Sequence, residues 1–150
     1  FSYPLMKRFT YWPQLFLGIT FNYGLILGWT AVKGEIELTP ILFYLGAIFW
    51  TLGYDTIYGY QDIKDDEIIG LKSTSIKFKN KAKKFLLTCF SLLIIFFIMG
   101  GYNMKFNFIY FFLILIPISH LFFPLRNKMG LLVRTGVRPT TSILHFELFP

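Results

Sequence analysis

Residues 38–74 read LTPILFYLGAIFWTLGYDTIYGYQDIKDDEIIGLKST, and this stretch decides the fold. Its first part is an apolar run of the length that crosses a bilayer as a helix, roughly 20 residues. The run passes directly into an acidic segment, and Asp55 already lies inside the apolar part. Because a charge buried in a membrane is costly, an acid at this depth indicates a functional role. The stretch therefore predicts a membrane helix that leads into a site.

Three more apolar runs flank this segment, and each is long enough to be a span. The four predicted spans are about Trp12–Val32, Leu38–Tyr60, Phe85–Gly101 and Phe106–Phe123. The third is short, but snorkelling of Lys83 and Lys84 would let it begin earlier. The composition agrees, since 55% of residues are hydrophobic, 15% are charged and the mean hydropathy is +0.55. The hydrophobic share and the mean hydropathy are higher, and the charged share is lower, than in an ordinary soluble domain. We predict an all-α, integral membrane helical bundle.

The basic residues lie between the apolar runs and are strongly biased to one side. With four spans, one side receives Lys7, Arg8, Lys64, Lys72, Lys77, Lys79, Lys81, Lys83, Lys84, Arg126, Lys128, Arg134 and Arg138, and the other only Lys33 and Lys105. This bias fits the positive-inside rule, with the acidic loop on the cytoplasmic or matrix side. The net charge of +7 therefore indicates membrane topology and not a nucleic-acid partner.

Several residues within the spans carry structural predictions. Asn22 is expensive in lipid and predicts an interhelical hydrogen bond. Gly24 and Gly28 form a GxxxG pair, which is either a close helix contact or chance in an apolar helix. Cys89 is the only cysteine and is interpreted as a small buried hydrophobic residue. Pro117 predicts a kink, because proline removes a backbone donor.

The spacing of the acidic residues predicts a metal site. On one continuous helix, Asp55, Asp62 and Asp66 would lie within roughly 40° of one another, at about 100° per residue. Gly59 would share that face and leave room for a ligand against the backbone. Carboxylates grouped in this way repel one another unless a cation lies between them. Oxygen ligands without His or Cys select a hard ion, so Mg²⁺ with substrate phosphates is expected.

Nearby cations favour a phosphate as the partner of this site. Lys72 follows the acidic cluster, and Lys7 and Arg8 lie at the same membrane face. Such side chains can clamp a diphosphate and stabilise charge on it as it leaves. A solvated loop explains Asp65 and Glu67 better than metal binding does. A proton- or cation-coupled transporter also places acids within spans and stays open as an alternative.

Two strings in the chain resemble a known family. D-x-x-x-G-x-x-D-x-x-x-D, beginning at Asp55, is similar to the second aspartate-rich motif of UbiA-type prenyltransferases. The longer string YDTIYGYQDIKDD, the following GLKST and the opening YPLMKRFTYWPQLFLG at residues 3–18 resemble the 4-hydroxybenzoate branch. The resemblance is close over residues 2–78 and continues in hydropathy to about 120. Haem-farnesylating, chlorophyll-type and menaquinone-type enzymes are the alternatives within the superfamily.

The resemblance implies a fold and a reaction. It implies a bundle of about nine helices, of which residues 1–150 would be the C-terminal part, with about four spans. It implies Mg²⁺-dependent transfer of a polyprenyl group from its diphosphate to the ring of 4-hydroxybenzoate, in ubiquinone biosynthesis. Under it, the metal ligands would be Asp55, Asp62 and Asp66, the catalytic residues Arg8, Asp55 and Tyr58, and the substrate-binding residues Lys7, Arg8, Gly59 and Lys72.

Two departures from the family pattern carry expectations of their own. The first aspartate-rich motif, N-D-x-x-D, does not occur in these 150 residues. We therefore expect the chain to be inactive alone and to need an N-terminal half as its partner, or to be a non-catalytic remnant. The tail at 121–150 diverges from the family. The expected location is the bacterial or mitochondrial inner membrane.

Overall fold

The computed structural model describes residues 3–60 and 62–116, and within these ranges the chain is helical with no strand. Its helices, in chain order, are α1 (Tyr3–Phe9), α2 (Pro13–Lys33), α3 (Leu38–Gly59), α4 (Ile63–Ile69), α5 (Thr74–Lys77), α6 (Ala82–Asn103) and α7 (108–116). A short 3-10 turn at Lys79–Lys81 leads into α6. The all-α prediction is confirmed.

Three helices of the described part are long and apolar enough to cross a membrane, namely α2, α3 and α6. They correspond to the first three predicted spans. The third begins before Phe85, as the snorkelling argument predicted. The fourth predicted span is described only as far as residue 116, so the count of four stays a prediction. Pro117 and the tail at 121–150 lie outside the described residues.

Local sequence signals set the ends of the long helices. Pro13 occupies the first position of α2, where its missing N–H costs nothing. Gly34 ends α2 in the left-handed region, at φ 79°, and its N–H donates to the Thr30 carbonyl at 2.8 Å. The turn after α6 brings α7 back against that helix, since the Tyr110 hydroxyl donates to the Phe97 carbonyl at 3.1 Å.

Helix α3 packs between α2 and α6 and forms the centre of the described fold. Glycines let its neighbours approach. An added Cβ at Gly53 would lie 3.0 Å from the Phe90 ring of α6, and one at Gly18 of α2 would lie 3.1 Å from the Ile48 carbonyl oxygen. The buried core cluster continues from these contacts to the loop side of the bundle, and it comprises Tyr60, Ile63, Ala82, Leu86, Phe90 and Leu93.

The contact between α2 and α3 is made by a different glycine from the predicted pair. No atom lies within 4 Å of an added Cβ at Gly24 or Gly28, so neither contacts another helix among the described residues. Gly18 makes the close approach instead, two helical turns nearer the start of α2. The GxxxG spacing alone did not reveal which face of α2 meets α3.

Asn22 makes the interhelical hydrogen bonds that its cost in lipid predicted. Its Nδ2 donates to Thr51 Oγ1 at 2.8 Å and to the Ala47 carbonyl at 3.2 Å, both in α3. It also donates to the Gly18 carbonyl of its own helix at 2.8 Å. Cys89 is free and buried, which confirms its interpretation as a small core residue.

Candidate active site

The acidic segment does not form one continuous helix, and the prediction that its aspartates share a single face is wrong in this respect. Asp55 lies in α3, which ends at Gly59, whereas Asp62 is the residue that precedes α4. At the end of α3 the Tyr60 N–H donates to the Ile57 carbonyl, three residues back, at 3.2 Å. Because the helix is interrupted between Gly59 and Ile63, the angular relation of a straight helix does not apply to Asp55 and Asp66.

Asp62 and Asp66 remain neighbours, because four residues separate them along one helical turn. Asp66 N–H donates to the Asp62 carbonyl at 2.9 Å, so α4 starts at this point. The Asp62 side chain is exposed, while Asp66 is buried at 8% relative exposure. The adjacent Glu67 instead forms a surface ion pair with Lys79 at 2.9 Å. This pair supports the interpretation of Glu67 as a surface residue.

No three of His, Cys, Asp and Glu within residues 3–60 and 62–116 lie in a group that could hold a metal ion. The three predicted aspartates therefore do not form a closed metal site on their own. Mg²⁺ in proteins uses one or two carboxylates together with water and substrate phosphates. The exposed Asp62 and the adjacent Asp66 would supply two such carboxylates.

A buried polar cluster, which the sequence argument missed, holds the loop after α4 against the long helices. Thr74 N–H donates to Gln14 Oε1 at 3.1 Å, and the hydroxyls of Thr74 and Thr56 share a bond of 2.7 Å. Ser75 Oγ donates to the Thr56 carbonyl at 2.9 Å. Exposure of each of these side chains is at most 2%. In the sequence, this cluster was indicated only by three consecutive small polar residues that begin at Ser73.

Gly59 lies against this polar cluster and not against open space. An added Cβ there would overlap Ser75 Oγ and would approach Gln14 Nε2 to 3.7 Å. The expectation that Gly59 leaves room for a ligand at that point is therefore contradicted, because Ser75 fills the space. The predicted role of Gly59 in substrate binding is otherwise untested and stays a prediction.

The structure brings together the two predicted lysines, which are far apart in sequence. Lys72 N–H donates to the Lys7 carbonyl at 2.7 Å, so the loop and α1 meet at the same end of the bundle. The Lys72 ammonium lies 5.6 Å from the centre of the Tyr11 ring, in a cation–π arrangement. Arg8 is exposed in the last turn of α1, one residue from Lys7.

Tyr58 belongs to a row of aromatic side chains along α3. Its hydroxyl accepts a hydrogen bond from Tyr54 at 2.9 Å, and the two ring centres are 4.8 Å apart. Trp50 stacks on Tyr54 with ring centres 6.0 Å apart. Tyr58 and Trp50 are 39% and 37% exposed, so the row forms an open face beside Asp55. The four-residue spacing was a visible signal for this face.

Tyr60 has a different environment at the same end of α3. Its side chain belongs to the core cluster, and its hydroxyl lies 3.5 Å from the Phe78 carbonyl. Tyr60 therefore packs the start of the loop against the core.

Comparison with known proteins identifies the family. The UbiA prenyltransferase family matches residues 1–129. The chain belongs to this family. The UbiA match covers the two strings noted in the sequence, the three long helices and the polar loop between α3 and α6.

Individual relatives match a shorter part of this UbiA chain. It is 59% identical over 86 residues to a mitochondrial 4-hydroxybenzoate polyprenyltransferase of Bos taurus, covering 57% of this chain and 23% of the relative. Identity to the enzyme of that name from Arabidopsis thaliana is 58% over 87 residues, or 57% of this chain and 21% of the relative. Identity to the Homo sapiens protein of the same name is 54% over 86 residues, which covers 57% of this chain and 23% of the relative. The matched part thus spans about a quarter or less of these curated relatives. No solved structure matches this chain.

Proposed function

We propose that this chain is part of a membrane enzyme that transfers a polyprenyl group from polyprenyl diphosphate to the ring of 4-hydroxybenzoate, in ubiquinone biosynthesis. The observation that carries the proposal is the identity of 54–59% to relatives with that printed activity. Such identity over 86 residues favours this branch over other UbiA prenyltransferases. Because the match covers a minor part of each relative, we expect an upstream half to supply the remainder of the enzyme.

The hydrogen bond between Lys72 and Lys7 supports a diphosphate site at this end of the bundle. This backbone bond holds the loop that carries Lys72 against α1, at the end of the bundle where α3 ends and α4 begins. Basic groups fixed near the leaving group stabilise the charge that develops on it. In this arrangement Lys72 and Arg8 bind the diphosphate, or Arg8 binds the carboxylate of the aromatic acid, with Lys7 beside them.

Mg²⁺ is proposed as the cofactor. Asp62 and Asp66 would hold it from α4 and Asp55 from α3, each in combination with diphosphate oxygens, because the described residues do not form a closed three-carboxylate site. When bound, the ion supplies charge neutralisation for the departing diphosphate.

The reaction exchanges one covalent bond for another. The bond between the prenyl carbon and the diphosphate oxygen breaks, and a carbon–carbon bond forms at the ring position ortho to the hydroxyl. The ring proton at that carbon then passes to water or to the released diphosphate, which restores aromaticity. Tyr58 on the open aromatic row would stabilise the allylic cation through its π face.

The test is an acceptor assay in membranes that contain this chain together with the upstream half of the bovine relative. We expect label from 4-hydroxybenzoate to enter the lipid extract when polyprenyl diphosphate and Mg²⁺ are supplied. We expect no product from this chain alone. Transfer to a haem-, chlorophyll- or menaquinone-type acceptor instead would place the chain in another UbiA branch. No transfer from two inserted, associated halves would favour a remnant or a transporter.

A further inference from the structure

Five lysines follow one another closely between α5 and the start of α6, at 77, 79, 81, 83 and 84. The structure divides them into two groups. Lys77 lies over the Trp12 ring at 4.5 Å, and Lys79 pairs with Glu67 at 2.9 Å, so both are engaged by the protein. The other three are exposed, and no carboxylate pairs with them in the described part of the chain.

These three lysines line a single groove. The groove has a volume of about 380 Å³ and is bounded by Asn80, Lys81, Lys83, Lys84 and Leu87. The wall of the groove is formed mainly by aliphatic parts of these side chains, three of the five residues carry an ammonium group, and none of the five is acidic. Such a lining is complementary to a phosphate group that carries more than one oxygen acceptor.

The position of the groove favours a ligand that is itself amphipathic. It lies at the start of α6, a helix apolar enough to cross the membrane, and therefore at the height of the lipid head groups. At about 100° per residue, Leu87, Ile95 and Ile98 fall on the same face of α6 as Lys84. Ile95 and Ile98 are 49% and 44% exposed, so this face points away from α3. Leu86 and Phe90 lie on a different side of α6 and belong to the buried core, where the Phe90 ring contacts Gly53 of α3.

We propose that Lys81, Lys83 and Lys84 form a binding site for the head group of an anionic phospholipid, whose acyl chains lie along the apolar outer face of α6. The lysines bind the phosphate, Asn80 adds a neutral polar contact, and Leu87 begins the apolar contact with the chains. Basic pockets beside transmembrane helices on the positively charged side of a membrane bind anionic lipids in this way. The site is separate from the proposed diphosphate site and does not depend on the enzyme's reaction.

The test uses the whole chain, delipidated in neutral detergent, and a fluorescent phosphatidic acid as the probe. Binding is measured by fluorescence anisotropy. The variant replaces the three groove lysines, Lys81→Gln, Lys83→Gln and Lys84→Gln. The matched control removes the same amount of charge elsewhere, with Lys33→Gln, Lys64→Gln and Lys105→Gln. Circular dichroism establishes that both variants retain their helices.

We expect the groove variant to bind phosphatidic acid about 100-fold more weakly, because each of the three surface lysines contributes about fivefold. The control variant is expected to bind within a fewfold of the unmodified chain. Equal losses in both variants would overturn the proposal, since binding would then follow overall charge. Equal binding of phosphatidylcholine would also overturn it. Competition by inorganic or prenyl diphosphate as effective as that by unlabelled phosphatidic acid would contradict a lipid site.

Discussion

At the scale of single residues, Asn22 joins α2 to α3 through polar contacts within two apolar helices. Its amide donates to one side chain and one carbonyl of α3, so its polar group is satisfied inside the bundle. A hydrogen bond of this kind between membrane helices is worth about 0.6 kcal/mol on average and up to about 1.7 kcal/mol.

Thr51→Val tests this contact, because it removes the side-chain acceptor and retains the shape. We expect the free energy of unfolding in mixed detergent micelles to fall by about 1 kcal/mol. The matched control is Thr20→Val, since the exposed Thr20 hydroxyl donates only to carbonyls of its own helix, with Phe16 at 2.9 Å. An equal loss in both variants would show that the bond between the helices contributes nothing of its own.

The sequence predicted this bond but not the neighbouring glycine contact. The cost of an amide in lipid holds wherever the residue lies in a span, so Asn22 requires a partner whichever face of α2 it occupies. The effect of a glycine, in contrast, depends on which helix face meets a neighbour. Gly18 meets Ile48, whereas Gly24 meets no other helix among the residues that the structure describes, although both lie in the same apolar run.

At the scale of elements, the loop between α3 and α6 is attached to α3 by hydrogen bonds from Thr74 and Ser75. Thr56 is the central residue of this contact. Its hydroxyl bonds to Thr74, and its carbonyl accepts from Ser75. The loop that carries Asp62, Asp66 and Lys72 is thereby attached to the end of α3.

Thr56→Val should loosen this loop without changing the volume of the core. It would leave the buried Thr74 hydroxyl without its partner on α3, at a cost of about 1–3 kcal/mol. We expect amide hydrogens in residues 63–77 to exchange about tenfold faster or more, as measured by mass spectrometry. Thr88→Val is the control, since the exposed Thr88 hydroxyl bonds only to the Lys84 carbonyl in its own helix. Unchanged exchange in the Thr56 variant would mean that other contacts hold the loop.

The same loop marks where sequence reasoning failed at this scale. Residue spacing gives angles only along an unbroken helix, and Gly59, where α3 ends, was the one local signal of a break between Asp55 and Asp66. The end of α3 depends on tertiary contacts, in which Ser75 fills the space beside Gly59. Those contacts join residues far apart in sequence, so a local pattern cannot reveal them.

At the scale of the whole molecule, the long helices α2 and α3 form a hairpin that a membrane would orient. If both cross the membrane, the turn at residues 34–37 and the loop at 60–81 face opposite sides. The bias of basic residues predicts that the loop lies on the cytoplasmic or matrix side. The apolar runs made this arrangement predictable from sequence, because lipid imposes helix length and leaves few alternatives.

A labelling experiment tests the orientation. In a Cys89→Ala background, Lys64→Cys should react with an impermeant maleimide only from the cytoplasmic or matrix side. Glu35→Cys should react only from the opposite side, since it lies in the turn between α2 and α3. Reaction of both from one side would contradict a pair of spans.

For the whole molecule, we propose that the acidic segment after α3 holds the diphosphate end of a prenyltransferase reaction. The most direct test compares Asp62→Asn with Asp65→Asn in membranes that also contain the upstream half. Both residues are exposed and both changes remove one charge. The rate of transfer to 4-hydroxybenzoate is measured over a range of Mg²⁺ concentrations. We predict a loss of about 100-fold or more for Asp62→Asn and a nearly unchanged rate for Asp65→Asn. Full activity in the Asp62 variant, or equal losses in both, would contradict the claim.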